Sequence, residues 1–269
     1  MIKIGVLAAL TFTLLSVNFP KQLTPEEQHF TYSQVIIKKP KLVVDAPMWG
    51  MYVPRSGQII SSSPDATGMA SLTKLFTALA ALSNSSRPNQ LTVPDQLPAS
   101  APLIGFVPKS KIAFTDVLQA SLIPSGNDAA TVLGTINFSL ARELPRNLGL
   151  TKTEIIEPTG LNLHNVSSIQ DMLLMGSVII RNPLLREIVS QKTFTYEDRV
   201  YQSTNRLLGE GFSGIKTGYL PETGAHFLGL TRSNPEVITL VMGTASQDDR
   251  FVQSSSFIRQ LRNQETILD

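Results

Sequence analysis

Cysteine is absent from the 269-residue chain, and histidine is scarce. Without cysteine the chain has no disulfide, no thiolate metal site and no cysteine that could carry a lipid anchor. The three histidines, His29, His164 and His226, lie far apart and show none of the short spacings typical of metal-binding motifs. We therefore predict a protein that uses neither a metal ion nor another cofactor.

Charge is also sparse. Charged residues make up 16% of the chain, and the formal net charge is only +2. Because nucleic-acid-binding proteins usually carry a basic patch or stripe, this composition argues against a nucleic-acid partner. Hydrophobic residues make up 42%, which is enough for a packed core in one large domain or two small ones.

The N-terminus carries an apolar run of the kind found in export signals. Lys3 precedes residues 4–17, which are apolar, small or hydroxyl-bearing. This run is shorter than the ~20 residues that a transmembrane helix needs. We predict that residues 1–19 are a signal peptide or an anchor, since the sequence before Pro20 is not a small-x-small cleavage site. The protein is then expected outside the cytoplasm, in the periplasm or at the cell surface, either secreted or tethered by this segment.

Apolar periodicity and turn residues predict the elements of the remaining chain. We predict that residues 20–45 form a lead-in segment and that residues 46–269 form one folded domain. Five prolines between residues 87 and 108 exclude a helix there. The predicted strands are 51–53 and 58–60, which form a hairpin, and 211–219, 225–231 and 237–243. One predicted helix begins at residue 71, and the others span 117–122, 128–144, 167–180, 184–190 and 249–262.

These elements predict an α+β fold. Short loops between the late strands imply antiparallel neighbours, which the early hairpin can join to form one antiparallel sheet flanked by helices. The middle of the chain would form an inserted all-helical lobe, and the interface between sheet and lobe would form a cleft.

One stretch, residues 68–79, combines a helical pattern with two reactive side chains. Apolar residues recur at i, i+3, i+4 and i+7 from Leu72 to Leu79, which is typical of a buried helix face. Ser71 and Lys74 are three residues apart on a neighbouring face, so that the hydroxyl and the amine can meet. A desolvated, deprotonated lysine can take the hydroxyl proton as a serine attacks a carbonyl.

Two further motifs follow, and each of the three is weak by itself. Ser125 and Asn127 form an S-x-N motif between two predicted helices, and Lys216-Thr217-Gly218 lies on a predicted strand. S-x-x-K occurs a second time, at Ser213 and Lys216. A serine before a helix is often an N-cap, and a lysine one turn later is often solvated.

In this order the three motifs resemble those of the penicillin-recognising serine enzymes. The sequence resembles the serine-type D-Ala-D-Ala carboxypeptidases, the low-molecular-mass penicillin-binding proteins, from about Ala46 to Asn263. Further matching stretches are Pro124–Ala130, Pro158–Leu161, Ser167-Ser168 with Asp171-Met172, and Ile215–Gly218 followed by Gly224. The resemblance implies a β-lactamase/transpeptidase-like fold and a penicillin-recognising serine peptidase domain over residues 46–269.

The resemblance also implies roles for the catalytic residues. A peptidyl-D-alanyl group would pass to Ser71 and then to water, with release of the terminal D-Ala of a peptidoglycan stem peptide. Lys74 and Ser125 would move the proton to the leaving nitrogen, and Asn127 completes the catalytic set. The backbone N–H groups of Ser71 and Tyr219 would form the oxyanion hole.

The binding residues are inferred in the same way. Lys216 and Thr217 of the K-T-G motif, which ends at Gly218, would hold the substrate carboxylate by charge and hydroxyl. Arg250, seven residues past Gly243, matches an arginine that family members place near that carboxylate. A surface charge at a helix start is the alternative for this arginine. Peptidoglycan stem peptides are the expected partners, and β-lactams the expected covalent inhibitors.

The chain departs from many relatives at its C-terminus. They carry a second, β-rich domain and an amphipathic membrane helix, whereas this sequence ends at Asp269, just after the expected catalytic domain. We therefore expect no C-terminal second domain, and expect any membrane tether to be N-terminal.

Three alternative functions stay open. A DD-endopeptidase of cross-links would act on the same type of bond. A class A-like β-lactamase would carry S-D-N and a loop E-x-x-L-N, whereas this chain has Gly126 in the S-x-N motif and one residue too many between Glu157 and Asn162. A non-catalytic peptidoglycan-binding protein would not need all the reactive side chains. Because Glu157 is displaced, we expect penicillin to be held as a long-lived acyl-enzyme.

Overall fold

The computed structural model describes residues 44–262, so the predicted signal or anchor (1–19) and nearly all of the predicted lead-in lie outside the described residues. The strands are β1 (Met48–Val53), β2 (Gln58–Ser61), β3 (Ala66–Gly68), β4 (Gln90–Thr92), β5 (Lys111–Ala113), β6 (Val166–Ser168), β7 (Thr193–Tyr196), β8 (Arg199–Gln202), β9 (Phe212–Leu220), β10 (Gly224–Thr231) and β11 (Ile238–Thr244). The α-helices are α1 (Lys74–Ser83), α2 (Phe114–Leu122), α3 (Asn127–Asn147), α4 (Ile169–Arg181), α5 (Pro183–Val189) and α6 (Asp249–Arg262), and a 3₁₀ helix (Ala70–Thr73) leads into α1. Within residues 44–262 no helix has the length and hydropathy to cross a membrane.

A five-stranded antiparallel sheet in the order β2-β1-β11-β10-β9 forms one half of the molecule. The early hairpin joins the late strands through β1 and β11, with Met48 opposite Met242 and Tyr52 opposite Ile238. The strand β9, which carries K-T-G, lies at an edge of the sheet.

Both faces of the sheet are covered because its strands alternate in side-chain direction. In β1, Tyr52 packs into the large hydrophobic cluster that includes α4 and the helical lobe. Met51 and Val53 pack into a second cluster with Phe257 of α6 on the opposite face. The predicted fold class, an α+β fold with a helical lobe inserted between sheet strands, is confirmed.

The structure corrects several details of the elements. The lobe is mainly helical, but three two-stranded ribbons, β3–β6, β4–β5 and β7–β8, were not predicted. The helix α3 does not end before Pro145. It bends at Asn137, whose backbone is not helical, and continues to Asn147. A proline removes one backbone donor, and α3 accommodates this loss in its last turn.

We predict that Phe227→Ala lowers the free energy of unfolding by about 3–5 kcal/mol, because a large aromatic side chain is removed from a sealed core. Phe227 of β10 is fully buried, and its ring centroid lies 5.4 Å from that of Phe212 and 5.5 Å from that of Phe251. Urea-induced unfolding measures the loss. Val252→Ala on the exposed face of α6 is the matched control and should change stability by less than about 0.5 kcal/mol. Equal effects of the two changes would contradict the description of this core.

Candidate active site

Ser71 and Lys74 meet where the 3₁₀ helix becomes α1. The predicted helix start is present, but its first turn is a 3₁₀ turn that carries Ser71, and Lys74 is the first residue of α1. The Lys74 Nζ donates to the Ser71 Oγ at 2.8 Å. The three-residue spacing therefore brings the hydroxyl and the amine into direct contact.

Lys74 is fully buried, and three oxygens surround its amine. Besides the Ser71 hydroxyl, the Asn127 Oδ1 lies at 2.8 Å and the Thr159 carbonyl oxygen at 2.6 Å. Burial lowers the pKa of Lys74 from 10.5 to about 7, and the carboxylates of Glu157 and Asp128 oppose part of this fall. At neutral pH a substantial fraction of this amine is therefore uncharged.

The two carbonyl oxygens orient the uncharged amine. Each can only accept a hydrogen bond, so the two N–H bonds of a neutral Lys74 are directed to Asn127 and Thr159. In this neutral form the lone pair is left to accept from the Ser71 hydroxyl, whereas the charged amine donates to it. Asn127 keeps its oxygen on Lys74 because its Nδ2 donates to the carbonyls of Ser100 and Ala101 at 2.8 and 3.2 Å.

Ser125 and Lys216 form a second buried pair from opposite halves of the molecule. The Lys216 Nζ donates to the Ser125 Oγ at 2.7 Å and to the Thr217 carbonyl at 3.1 Å. Burial lowers the pKa of Lys216 well below its usual value, and the nearby cations Lys74 and Arg250 lower it further. Ser125 adopts a left-handed backbone, with φ +67°, which is costly for a non-glycine residue and is common at functional sites.

The K-T-G strand lies directly beside the nucleophile's turn. A Cβ placed on Gly218 would stand 3.0 Å from the Met69 carbonyl oxygen, so glycine favours the close approach of β9 to the turn. The Thr217 Oγ1 donates to the Thr204 Oγ1 at 2.6 Å. The next residue, Tyr219, leaves its side chain 41% exposed.

Arg250 reaches the K-T-G motif from α6. Its Nη1 donates to the Gly218 carbonyl at 2.9 Å, and its guanidinium lies over the Phe251 ring, 4.8 Å from the centroid. Only 5% of the residue is exposed, and burial lowers the pKa of its side chain to about 10. The structure thus places Arg250 in the interior beside K-T-G, which differs from the alternative of a surface charge.

Among the residues that the structure describes, the Glu157 carboxylate makes no hydrogen bond to Ser71. Its carboxylate accepts hydrogen bonds from within its own loop, including those from the Thr159 and Gly160 N–H groups at 2.7 and 2.6 Å. The carboxylate of this glutamate, which we expect to be displaced relative to the β-lactamase loop, is thus occupied by donors of its own loop.

Four partners in the site were not predicted from the sequence. The Thr159 carbonyl, the Thr204 hydroxyl and the carbonyls of Ser100 and Ala101 each contact a residue of the three motifs. Every residue has a backbone carbonyl, so no sequence signal could have marked Thr159, Ser100 or Ala101.

Fold and geometry together define a class of protein: a serine hydrolase of the acyl-transferring kind, with a lysine beside the nucleophile. The model of the D-alanyl-D-alanine carboxypeptidase family matches residues 39–246, and the chain belongs to this family. It is a serine DD-peptidase, as the resemblance implied.

Similar proteins of known name and structure support the assignment to this family. The chain is 30% identical over 209 residues to a D-alanyl-D-alanine endopeptidase of Pseudomonas aeruginosa, covering 70% of this chain and 67% of the relative. It is 27% identical over 205 residues to that of Escherichia coli, covering 68% and 66%. The ampicillin-bound penicillin-binding protein D2 of Listeria monocytogenes is similar in structure, with a TM-score of 0.73, 27% identity and coverage of 82% of this chain and 99% of that one.

The lowered pKa of Lys74 predicts the pH dependence of acylation. The amine can accept the Ser71 proton only when it is uncharged, so the rate of covalent labelling by a fluorescent penicillin should rise with pH and reach half its plateau near pH 7. Stopped-flow or quenched-flow labelling between pH 5 and pH 9, with about one measurement per half pH unit, gives this rising part of the pH profile, its acidic limb. A rate that is flat through this range, or that rises only near pH 10, would contradict the assignment of Lys74 as the base.

Proposed function

We propose that the protein is a D-alanyl-D-alanine carboxypeptidase that removes the terminal D-Ala of peptidoglycan stem peptides through an acyl-enzyme on Ser71. The contact between the Ser71 hydroxyl and the buried, partly uncharged Lys74 amine carries this proposal. The other site residues would act in the successive steps of acylation, substrate binding and deacylation.

Acylation begins when the Ser71 Oγ attacks the carbonyl carbon of the penultimate D-Ala. Lys74 takes the hydroxyl proton, because its lone pair is directed to Ser71. The N–H groups of Ser71 and Tyr219 stabilise the negative oxygen of the tetrahedral intermediate. The C–N bond then breaks, and the proton passes by way of Ser125 to the nitrogen of the departing D-alanine.

The substrate would bind along the open edge of β9. An extended peptide can pair with the free backbone groups of an edge strand. Lys216 and Arg250 are buried cations beside this edge, and a substrate carboxylate would offset the repulsion between them. Lys216 and Thr217 would contact the carboxylate, and Arg250 would support it from behind K-T-G.

Deacylation returns the enzyme to its starting state. A water attacks the Ser71 ester, and Lys74 is the base that we assign to it, since the Glu157 carboxylate is engaged in its own loop. Free D-alanine diffuses away and leaves room for this water. The leaving group of a penicillin stays tethered to the acyl group and would obstruct the water.

A second candidate function is cleavage of peptidoglycan cross-links. Both curated relatives are named D-alanyl-D-alanine endopeptidases, and the chain spans about two-thirds of their length. Cross-link cleavage breaks the bond of the same D-Ala carbonyl, so this site would serve it without further groups. The size and charge of the amine-side product distinguish the two reactions.

The proposed substrate places the protein outside the cytoplasm, at the cell wall. Residues 1–19 would direct the chain there as a signal peptide or hold it as an N-terminal tether. Residues 46–269 would form the catalytic domain.

Product analysis on defined substrates tests the proposed function. We expect the protein to release free D-Ala from a stem pentapeptide, and Ser71→Ala to abolish release while thermal unfolding stays nearly unchanged. Ser213→Ala is the matched control, because Ser213 belongs to the second S-x-x-K but its Oγ contacts the Leu230 carbonyl instead of a lysine. It should retain activity.

Two further substrates test the endopeptidase alternative and the role of the substrate carboxylate. A cross-linked muropeptide dimer that is cleaved faster than the pentapeptide would favour the endopeptidase. A pentapeptide amide should react poorly, because a charge-assisted hydrogen bond of about 1.5–3 kcal/mol is lost. Equal cleavage of the amide and the free acid would contradict the carboxylate role, and cleavage by Ser71→Ala would overturn the acyl-enzyme itself.

Penicillin should trap the enzyme. We expect a stoichiometric burst of acylation followed by penicilloate release far slower than about 10 per second, the typical turnover of enzymes. Mass spectrometry of the intact protein would show the adduct, and its decay gives the release rate. Turnover at or above that typical rate would support the β-lactamase alternative, and absence of any adduct would support a non-catalytic binding protein.

A further inference from the structure

The loop of residues 157–165 is organised around one carboxylate. Glu157 accepts hydrogen bonds from the N–H and hydroxyl of Thr159 at 2.7 and 2.6 Å and from the Gly160 N–H at 2.6 Å. The Asn162 N–H and the Asn165 Nδ2 donate to the same carboxylate at 3.2 and 2.8 Å. All five partners are donors, so this position requires a group that only accepts.

One peptide unit of this loop joins Glu157 to Lys74. The carbonyl of Thr159 and the N–H of Gly160 belong to the same planar peptide group. Its oxygen accepts from the Lys74 Nζ at 2.6 Å, and its N–H donates to the Glu157 Oε1 at 2.6 Å. A carboxylate, a peptide group and the amine thus form one continuous hydrogen-bond chain.

Such chains polarise their members. A negative charge at the N–H end of a peptide group increases the negative charge on its oxygen, which strengthens the bond that the oxygen accepts. In agreement, Glu157 is the larger of the two carboxylate influences that raise the pKa of Lys74 against the effect of burial.

The loop is also held against the nucleophile. Gly160 has φ +88°, and a Cβ there would stand 2.0 Å from the Ala70 carbonyl oxygen and 2.9 Å from the Ser71 nitrogen. The Thr77 Oγ1 of α1 donates to the Pro158 carbonyl at 2.8 Å. The peptide unit 159–160 therefore has a fixed position between Glu157 and Lys74.

We propose that Glu157 is a positioning residue for the reaction, whose carboxylate holds the Thr159 carbonyl on the Lys74 amine through the peptide unit 159–160 and so directs the amine's lone pair to Ser71. This inference rests on the proposed function, in which Lys74 takes the proton of Ser71. Glu157 itself touches neither substrate nor Ser71.

Other charged groups also act on Lys74 and define the background of the test. Asp128 of α3 raises its pKa less than Glu157 does, and its carboxylate accepts from the N–H groups of Ile104 and Gly105. Lys216 of β9 is the neighbouring cation. Neither group changes when Glu157 is replaced.

The test is the pH profile of penicillin labelling in Glu157→Gln. Removal of the negative charge lowers the pKa of Lys74, so the amine stays uncharged to lower pH and the acidic limb should move down by about one pH unit. The plateau rate should fall about tenfold or more, because the amide NH₂ finds only donors around it and the Thr159 carbonyl loses its support. Glu157→Asp, which retains the charge but retracts it, should move the limb in the same direction by less.

Glu154→Gln is the matched control. It removes the same charge three residues earlier from an exposed side chain, and both its limb and its plateau should equal those of the unchanged protein. Thermal unfolding shows whether each variant is folded. If Glu157→Gln is not folded, the movement of the acidic limb in Glu157→Asp decides whether the inference holds.

The possible outcomes distinguish failure of the positioning role of Glu157 from failure of the proposed function. A lowered plateau with an unmoved limb in the folded variants would reduce Glu157 to a structural role and overturn the inference alone. An upward movement of the limb would do the same. Failure of the unchanged protein to be labelled at Ser71 would instead overturn the proposed function.

Discussion

The burial of one lysine amine is the constraint on which the rest of this site depends. Lys74 has no access to water, so its amine must find its hydrogen-bond partners within the protein. The partners come from three separate segments: the Ser71 turn, Asn127 at the start of α3, and the Thr159 carbonyl in a loop. A shift of any one segment would leave a buried polar group unpaired, so this requirement fixes the lobe, the loop and the nucleophile relative to one another.

The sheet contributes the second half of the site under a related constraint. Lys216 and Arg250 are both buried near Lys74. Burial lowers the pKa of all three side chains, and the charges of Lys74 and Arg250 lower the pKa of Lys216 further. Such clustering of basic side chains is unfavourable when no ligand is bound, and it favours the binding of an anion. The strained backbones of Ala70 and Ser125 lie at the same junction. Strain and repulsion are thus concentrated where a carboxylate-bearing substrate would relieve part of them.

The loop of residues 157–165 shows how a similar sequence can serve a different purpose. A glutamate upstream of a Leu-Asn pair is the residue that activates water in class A β-lactamases. Here one additional residue turns the carboxylate into its own loop, where it accepts from Thr159 and Gly160. In the proposed arrangement the charge acts on Lys74 through a peptide group, and Lys74 is the amine that hydrogen-bonds to Ser71.

Local sequence determined those features that depend on neighbours in the chain. The contact of Ser71 with Lys74 follows from helical spacing, and α6 and β10 begin and end within one residue of their predicted bounds because periodicity and turn residues are local signals. Tertiary structure decided the rest: the pairing of β1 with β11, the contact of Lys216 with Ser125, and the backbone carbonyl of Thr159 on Lys74. These contacts join residues distant in sequence, through groups such as carbonyls that all residues share, so no pattern of side chains could specify them. The same holds for the pKa of Lys74, since burial, which the whole fold creates, is its main cause.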